Sequence, residues 1–246
     1  MKKSLFTLEH ARQLTEDTYE LVLSGDTSAV TAPGQFVNIE LPGKFLRRPI
    51  SICNWTEAAL LLLVKVVGEG TKELVRCVPG TELDVLSGLG NGFDMTLAGE
   101  RPVLVGGGIG IAPLYGLARK LVGMGLTPHV ALGFRSARDV FYVEEFAALG
   151  CQVFVSTEDG SLGTKGFVTD CVTNFLPEAD YAFVCGPTPM LKAVYGLEQL
   201  KDGQFSFEAR MACGFGACVG CTIQTANGPR RVCKDGPILY KEEIVW

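Results

Sequence analysis

Along the first hundred residues the apolar positions come in short runs. Segments 5–14 (LFTLEHARQL), 19–25 (YELVLSG), 35–41 (QFVNIEL), 49–55 (PISICNW) and 60–67 (LLLLVKVV) are separated by Gly, Pro, Asp and Thr turn signals. Several short strands at this spacing predict a small antiparallel barrel or sandwich. One short helix is expected over 71–78 (TKELVRCV), with Thr71 as its candidate cap. From Arg101 the pattern changes. Strand-like 103–107, 128–134, 152–156 and 181–186 alternate with helical 112–125, 139–150, 166–176 and 188–200, and 204–209 (QFSFEA) offers one more strand. Strand and helix in alternation predict βαβ units, hence a parallel sheet wrapped by helices. After Arg210 the chain turns irregular and rich in Gly and Cys, with short strands expected at 221–225 and 230–233. The expected organisation is three modules: an N-terminal antiparallel β-barrel domain (1–99), a parallel-sheet α/β domain (100–208) and a small cysteine-rich module (209–246).

Composition narrows the function classes. A net charge of −5, with no block of Lys and Arg, gives no reason to expect nucleic-acid binding. The opening MKKSLFTLEH meets Glu9, His10 and Arg12 before an apolar core could form, so a signal peptide is not expected. The longest apolar run, around 59–67, is broken by Lys65 and falls short of the roughly 18 residues of a membrane span. Nine cysteines without a secretion signal point to a reducing compartment, with the cytoplasm as the expected location and no membrane partner.

Four of those cysteines are grouped. Cys213, Cys218, Cys221 and Cys233 follow C-x4-C-x2-C-x11-C, whose first three members have the plant-type spacing that wraps a [2Fe–2S] cluster. Gly214, Gly216 and Gly220 let such a loop curl tightly around an inorganic core. Structural zinc is the alternative, but it usually takes two short knuckles, whereas here a triplet is followed by a lone fourth thiol. Cys53, Cys77, Cys151, Cys171 and Cys185 are scattered through apolar segments and read mostly as small buried hydrophobes.

Two loops suggest a dinucleotide. The turn Gly106–Gly110 (GGGIG) lies between a strand and a helix, although the run lacks the G-x-G-x-x-G fingerprint. A second loop, Cys185, Gly186, Pro187 to Met190, follows another strand of the same expected sheet, at the edge where ligands of open α/β sheets bind. In the β domain, Arg48 and Ser51 share one extended stretch stiffened by Pro49. An arginine there can face a phosphate and a serine a ring nitrogen, but by themselves a solvated Arg and a strand-edge Ser are the default reading.

Taken together, R-P-I-S (48–51), G-G-G-I-G-x-A-P (106–113) and C-G-P-x-P-M (185–190) resemble the ferredoxin–NAD(P)+ reductase family over nearly the whole chain. The resemblance implies an FAD-binding barrel followed by a nicotinamide-binding domain. It implies FAD at Arg48, Pro49, Ile50 and Ser51, at Leu63, Val64 and Lys65, and at Gly70 and Thr71. Arg48 would pair with the pyrophosphate, Ser51 would lie near flavin N5, and Gly70 and Thr71 would open a helix toward the phosphates. NAD(H) would lie between Gly106, Gly107, Gly108, Ile109, Gly110 and Cys185, Gly186, Pro187, Met190, with Cys185 near the nicotinamide. Terminal Trp246 lies beyond the cysteine module and is not assigned the flavin-covering role of the aromatic residue that ends many members.

An acidic lip at Thr157, Glu158, Asp159 and Gly160 favours NAD over NADP, while Arg135 and Arg138 pull the other way. Histidine occurs twice, at 10 and 129, in no motif, and no Ser/His/Asp grouping is present. Members of that family with a cysteine-rich tail like MACGFGACVGC (211–221) and RVCKDGP (231–237), and with a GNGFD turn as at 90–94, are electron-transfer subunits, and the resemblance implies that role here. Its partner would be an FMN-containing catalytic subunit that oxidises dihydroorotate in pyrimidine biosynthesis, two copies of each forming a heterotetramer. A similar subunit of a sulfite reductase, a hydrogenase or an NADH-dependent ferredoxin–NADP reductase is the first alternative. A zinc-stabilised nucleotide-binding module without turnover is the second.

Overall fold

The computed structural model describes residues 1–176, 179 and 181–246. Strands β1 (Lys2–Gln13), β2 (Thr18–Gly25), β3 (Phe36–Ile39), β4 (Arg48–Trp55) and β5 (Ala59–Lys65), helix α1 (Glu69–Leu74) and strand β6 (Glu82–Leu89) make up the first part. The six strands close into an antiparallel barrel in the order β1-β2-β5-β4-β3-β6. Closure leaves no unpaired edge, and alternate residues fill the interior: Leu21, Leu23, Val37, Ile39, Ile50, Ile52, Leu60, Leu62, Leu83 and Val85.

Two elements here depart from the sequence expectation. Strand β6 was not expected, because buried Ser87 interrupts the apolar inward row of Leu83, Val85 and Leu89, and Gly88 (φ 65°) follows it. Helix α1 starts earlier than expected, with Gly68 and not Thr71 at its cap. Thr71 sits one turn in. Its hydroxyl accepts from the Val67 and Gly68 N–H groups at 2.9 and 3.3 Å and donates to the Gly68 carbonyl at 3.1 Å.

The α/β part runs β7 (Pro102–Gly107), α2 (Ile111–Gly123), β8 (His129–Phe134), α3 (Val143–Ala148), β9 (Gln152–Thr157), β10 (Thr164–Lys165), α4 (Val168–Phe175), β11 (Tyr181–Cys185), α5 (Thr188–Tyr195) and β12 (Gly203–Ser206). Then follow β13 (Thr222–Thr225), β14 (Gly228–Arg231), α6 (Val232–Asp235) and β15 (Ile238–Tyr240). The second sheet has the order β10-β9-β8-β7-β11-β12-β15, parallel except that β15 pairs antiparallel with β12. The cysteine-rich segment thus returns a strand to the α/β sheet, a pairing between distant segments that no local pattern announces. Its own β13 and β14 form a two-stranded hairpin, and the Val232–Cys233 end of the strand expected over 230–233 is helical instead.

The helix expected over 139–150 is shortened to α3. Asp139 closes a turn by accepting from the Ser136 N–H and hydroxyl at 3.1 and 2.9 Å, and Tyr142 adopts φ 67°. That backbone is uncommon for a bulky side chain and is held here by its surroundings. The Tyr142 ring is buried, and its hydroxyl donates to Glu20 of the barrel at 2.6 Å. Arg12 grips Glu20 through two 3.1 Å bonds and approaches Glu145 of α3 at 3.6 Å, so a charged clasp joins the barrel to a helix of the α/β part. Beside it, Cys53 and Leu63 of the barrel share a core with Leu114, Leu117 and Phe146.

Several thiols stay protonated because of this packing. Burial pushes Cys151 up to about 11 and Cys185 up to about 12, from an ordinary 9.0. Below pH 9 both folded and unfolded chains hold these protons. Above it only the unfolded chain gives them up, so stability is expected to fall from about pH 9 toward 12. Thermal melts of the chain across that range check this; a flat Tm would contradict it.

Candidate functional site

On β4, Ile50 and Ile52 point into the barrel, while Pro49 and Ser51 face outward and are exposed. The R-P-I-S stretch therefore offers an open outer face at two of its four residues. Arg48 curls over the start of α1, donating to the Leu46 carbonyl, and its guanidinium occupies the space a Cβ on Gly70 would take. Arg48 and Gly70, 22 positions apart in the chain, thus meet at one spot suited to a phosphate. Gly70→Ala is expected to lower FAD affinity about tenfold by crowding Arg48, with the fold intact because the guanidinium can swing aside. Flavin fluorescence titration of the apoprotein measures it; unaltered affinity would separate Gly70 from the flavin.

The remaining sequence-expected flavin residues are less open. Val64 is fully buried in the barrel core and Leu63 at the seam with the α/β part, so only their backbones could face a ligand. Lys65 pairs with Asp17 at 3.2 Å. The Thr71 hydroxyl is engaged with Val67 and Gly68, as described above.

The two glycine-containing loops come together. Strands β7 and β11 are direct neighbours with Gly106 opposite Cys185, and their helices leave in opposite directions along the sheet, which makes this the topological switch point. A Cβ on Gly110 would lie 2.6 Å from both the Cys185 carbonyl oxygen and the Gly186 Cα. Gly107 touches Met190 and Pro187 in the same way. The turn Gly108–Gly110 also packs on β5, and α2 packs on β4, so the switch point faces the barrel strands of the flavin motif. Burial holds Cys185 as a neutral thiol; Ser206 hydrogen-bonds it and Glu208 lies nearby, two neighbours the sequence reading did not single out.

The nicotinamide-type lip is more self-contained than expected. Thr157 is buried and exchanges hydrogen bonds with Leu162. Asp159 accepts from Ser161, whose hydroxyl and N–H hold the carboxyl below its ordinary range, and both Asp159 and Glu158 are exposed. Trp246 lies against Tyr195 and Phe207 with Lys192 over its ring, on the α/β part.

The four cysteines of the tail gather in two pairs. The Sγ atoms of Cys213 and Cys218 are 3.4 Å apart, and the Cys218 N–H points at the Cys213 sulfur. Cys233 donates its N–H to the Cys221 sulfur at 3.4 Å. The first pair is partly exposed, whereas Cys221 and Cys233 are buried against Phe36, Leu89 and Val232. Among the described residues no three ligating side chains converge as a site for one ion. Two thiol pairs suit two irons, one pair to each, better than a single tetrahedral zinc.

Backbone donors complete the fit. Desolvation works to raise the Cys213 thiol, but the N–H groups of Cys218 and Phe215, the Cys218 thiol and the Ala217 N–H outweigh it and bring it down to about 6. Such N–H···S bonds favour a thiolate ligand. Arg231 fastens the loop by donating to the Gly216 carbonyl at 2.7 Å while pairing with Asp235 at 3.2 Å.

A barrel with an open R-P-I-S face, a switch-point dinucleotide site and a two-pair thiol loop together define a flavin- and nicotinamide-linked oxidoreductase with an iron–sulfur module. Residues 104–195 match the oxidoreductase NAD-binding domain, and residues 208–245 match the iron–sulfur cluster binding domain of dihydroorotate dehydrogenase B. The chain is 41% identical to the dihydroorotate dehydrogenase B (NAD+) electron transfer subunit of Listeria monocytogenes serotype 4a, over 94% of each chain. It is 41% identical to that of a Geobacillus strain over 100% of this chain and 99% of the other. The chain belongs to the family of dihydroorotate dehydrogenase B electron transfer subunits. Among solved structures, one of an NADH-dependent reduced ferredoxin–NADP oxidoreductase, described for flavin-based electron bifurcation, superposes with a TM-score of 0.89. It is 31% identical and covers 99% of this chain and 90% of its own. An Amycolatopsis cytochrome P450 reductase shares the fold at a TM-score of 0.69, 21% identity, and 81% and 67% coverage.

Proposed function

We propose that this chain carries electrons from a partner FMN subunit, which oxidises dihydroorotate, through a [2Fe–2S] cluster and FAD to NAD+, within a heterotetramer of two subunits of each kind. The reaction balances: dihydroorotate gives up two electrons and two protons to become orotate, and NAD+ takes both electrons and one proton. When bound, FAD exchanges electron pairs with nicotinamide and single electrons with an iron–sulfur cluster. The observation that carries this reading is the contact between the thiol loop and the barrel. Cys213 is hydrogen-bonded to Asn38 on β3, the strand paired to the R-P-I-S strand β4.

In this reading residues 1–99 hold FAD, 100–208 hold NAD(H) and 209–246 hold the cluster. Arg48 and the backbone at Gly70 hold the pyrophosphate, and Pro49 and Ser51 carry the flavin ring on their exposed face. Gly106–Gly110 and Cys185–Met190 hold the nicotinamide half, with neutral Cys185 shaping its bed rather than acting as a nucleophile. Cys213 and Cys218 hold one iron, Cys221 and Cys233 the other. Among the described residues no helix is long and apolar enough to cross a membrane, and we place the complex in the cytoplasm.

The test is a mixing experiment. The isolated holo-chain is expected to oxidise NADH with ferricyanide yet leave dihydroorotate untouched until the partner subunit is added. Dihydroorotate oxidation by this chain alone would refute the reading. The 31% likeness to the NADH-dependent ferredoxin–NADP oxidoreductase favours a second reading, in which the partner is another flavoprotein of that kind; the protein that co-purifies decides between them.

A further inference from the structure

Asn38 lies in the middle of β3 at 1% exposure, among otherwise apolar neighbours. Its inward-facing neighbours Val37 and Ile39 belong to the barrel core, so Asn38 and Phe36 face outward. Cross-strand pairing sets Asn38 opposite Pro49 and Phe36 opposite Ser51. Directly opposed residues share a face, and neighbouring strands run about 4.8 Å apart. The exposed face of Pro49 and Ser51 is therefore one strand away from Asn38 and Phe36, on which the cysteine module sits.

The Asn38 side chain reaches that module through one bond. Its Nδ2 donates to the Cys213 carbonyl at 3.1 Å, across 175 residues of sequence. Gly214 makes the approach possible: its φ is +75°, and a Cβ there would run into the Asn38 amide. From the other side, Arg47 fixes the strand, donating to the Asn38 carbonyl at 3.3 Å and pairing with Asp84 at 2.8 Å. Asn38 Oδ1 is buried and has no hydrogen-bond partner among the described residues. An aliphatic side chain would avoid that unpaired acceptor, so what the amide contributes is the bond to Cys213.

In a trans peptide the C=O and N–H point in opposite directions. Holding the Cys213 carbonyl against the barrel turns the Gly214 N–H the other way, away from β3. A carbonyl that accepts a hydrogen bond also makes the N–H of its peptide a stronger donor. Hydrogen bonds to the sulfurs are among the features that set the potential of an iron–sulfur cluster.

We propose that Asn38 is a positioning residue for the cluster: its amide ties the Cys213 loop to the strand beside the flavin motif and orients the Gly214 N–H toward the cluster. The proposal rests on the reading of the tail as a two-iron site.

Asn38→Leu keeps the volume and removes the donor. In the full-length holo-chain, EPR-monitored dithionite titration is expected to show a lower cluster midpoint potential and an altered EPR line. Iron release to a chelator should be about tenfold faster, as expected when a buried acceptor loses its partner. FAD content and NADH oxidation by ferricyanide should match the unmodified chain. Gly214→Ala displaces the same amide from the loop side and should move the potential in the same direction, which keeps the test open if Asn38→Leu fails to fold. A folded variant with unchanged potential, EPR line and iron release overturns the proposal. An unmodified chain that carries zinc and no cluster overturns both this proposal and the function from which it follows.

Discussion

Cys221→Ser is expected to abolish dihydroorotate-driven NAD+ reduction by the complex while leaving NADH oxidation by ferricyanide nearly intact. Cys221 is 2% exposed and shares its pocket with Cys233, Phe36, Leu89 and Val232, so neither water nor another side chain can take its place. Loss of even an outer hydrogen-bond partner of a metal ligand costs about 10- to 100-fold in metal affinity, and loss of the ligand itself costs at least the upper figure. Iron per chain and the visible band should therefore collapse together. The flavin strand lies one strand away, since Cys221 packs on Phe36 of β3 and Phe36 pairs with Ser51 of β4. Cys213→Ser should be milder, because that position is partly exposed and its loop is also fastened by Arg231 and Asn38. Iron analysis beside the two activity assays decides the matter; a Cys221→Ser protein with full iron would show that the buried pair holds no metal.

The contrast between those two cysteines was not visible in the spacing C-x4-C-x2-C-x11-C. Spacing identifies ligands because a loop must curl around a small object, and that requirement is local. Burial depends on what the loop lies against, and here that is Phe36, which is 185 residues before Cys221. The same division runs through the fold. Strands with clean alternation were legible from the sequence, whereas β6 was hidden by Ser87 and Gly88, whose places in the sheet depend on distant partners such as Lys2 and Ala29. The early start of α1 and the short α3 turn on side-chain hydrogen bonds at Thr71 and Asp139. A hydrophobic pattern does not record such bonds. Asn38, an amide inside an apolar run, was the one local irregularity that could have drawn attention to the link between barrel and thiol loop.

Gly110→Ala is the expected way to silence the nicotinamide side alone. Gly110 has an ordinary helical φ of −63°, so alanine meets no backbone strain there. The obstacle is space: the new Cβ would fall 2.6 Å from the Cys185 oxygen and 2.6 Å from the Gly186 Cα, both backbone atoms. Neither can rotate out of the way as a side chain could, so the turn and the loop must move apart. Overpacking of this kind costs about 1–3 kcal/mol, which a two-sheet core can absorb. Hydride transfer is less tolerant, since a displacement of about 1 Å can cost about a hundredfold in rate. The expected variant is folded, holds flavin and iron, and has kcat/KM for NADH lowered about a hundredfold. Dithionite should still reduce both its centres. Gly123→Ala, at the far end of the same helix where nothing lies within 4 Å, serves as the control and should leave NADH kinetics unchanged. Were Gly110→Ala to oxidise NADH at the full rate, the seam between Gly106–Gly110 and Cys185–Met190 would not be where nicotinamide meets the flavin.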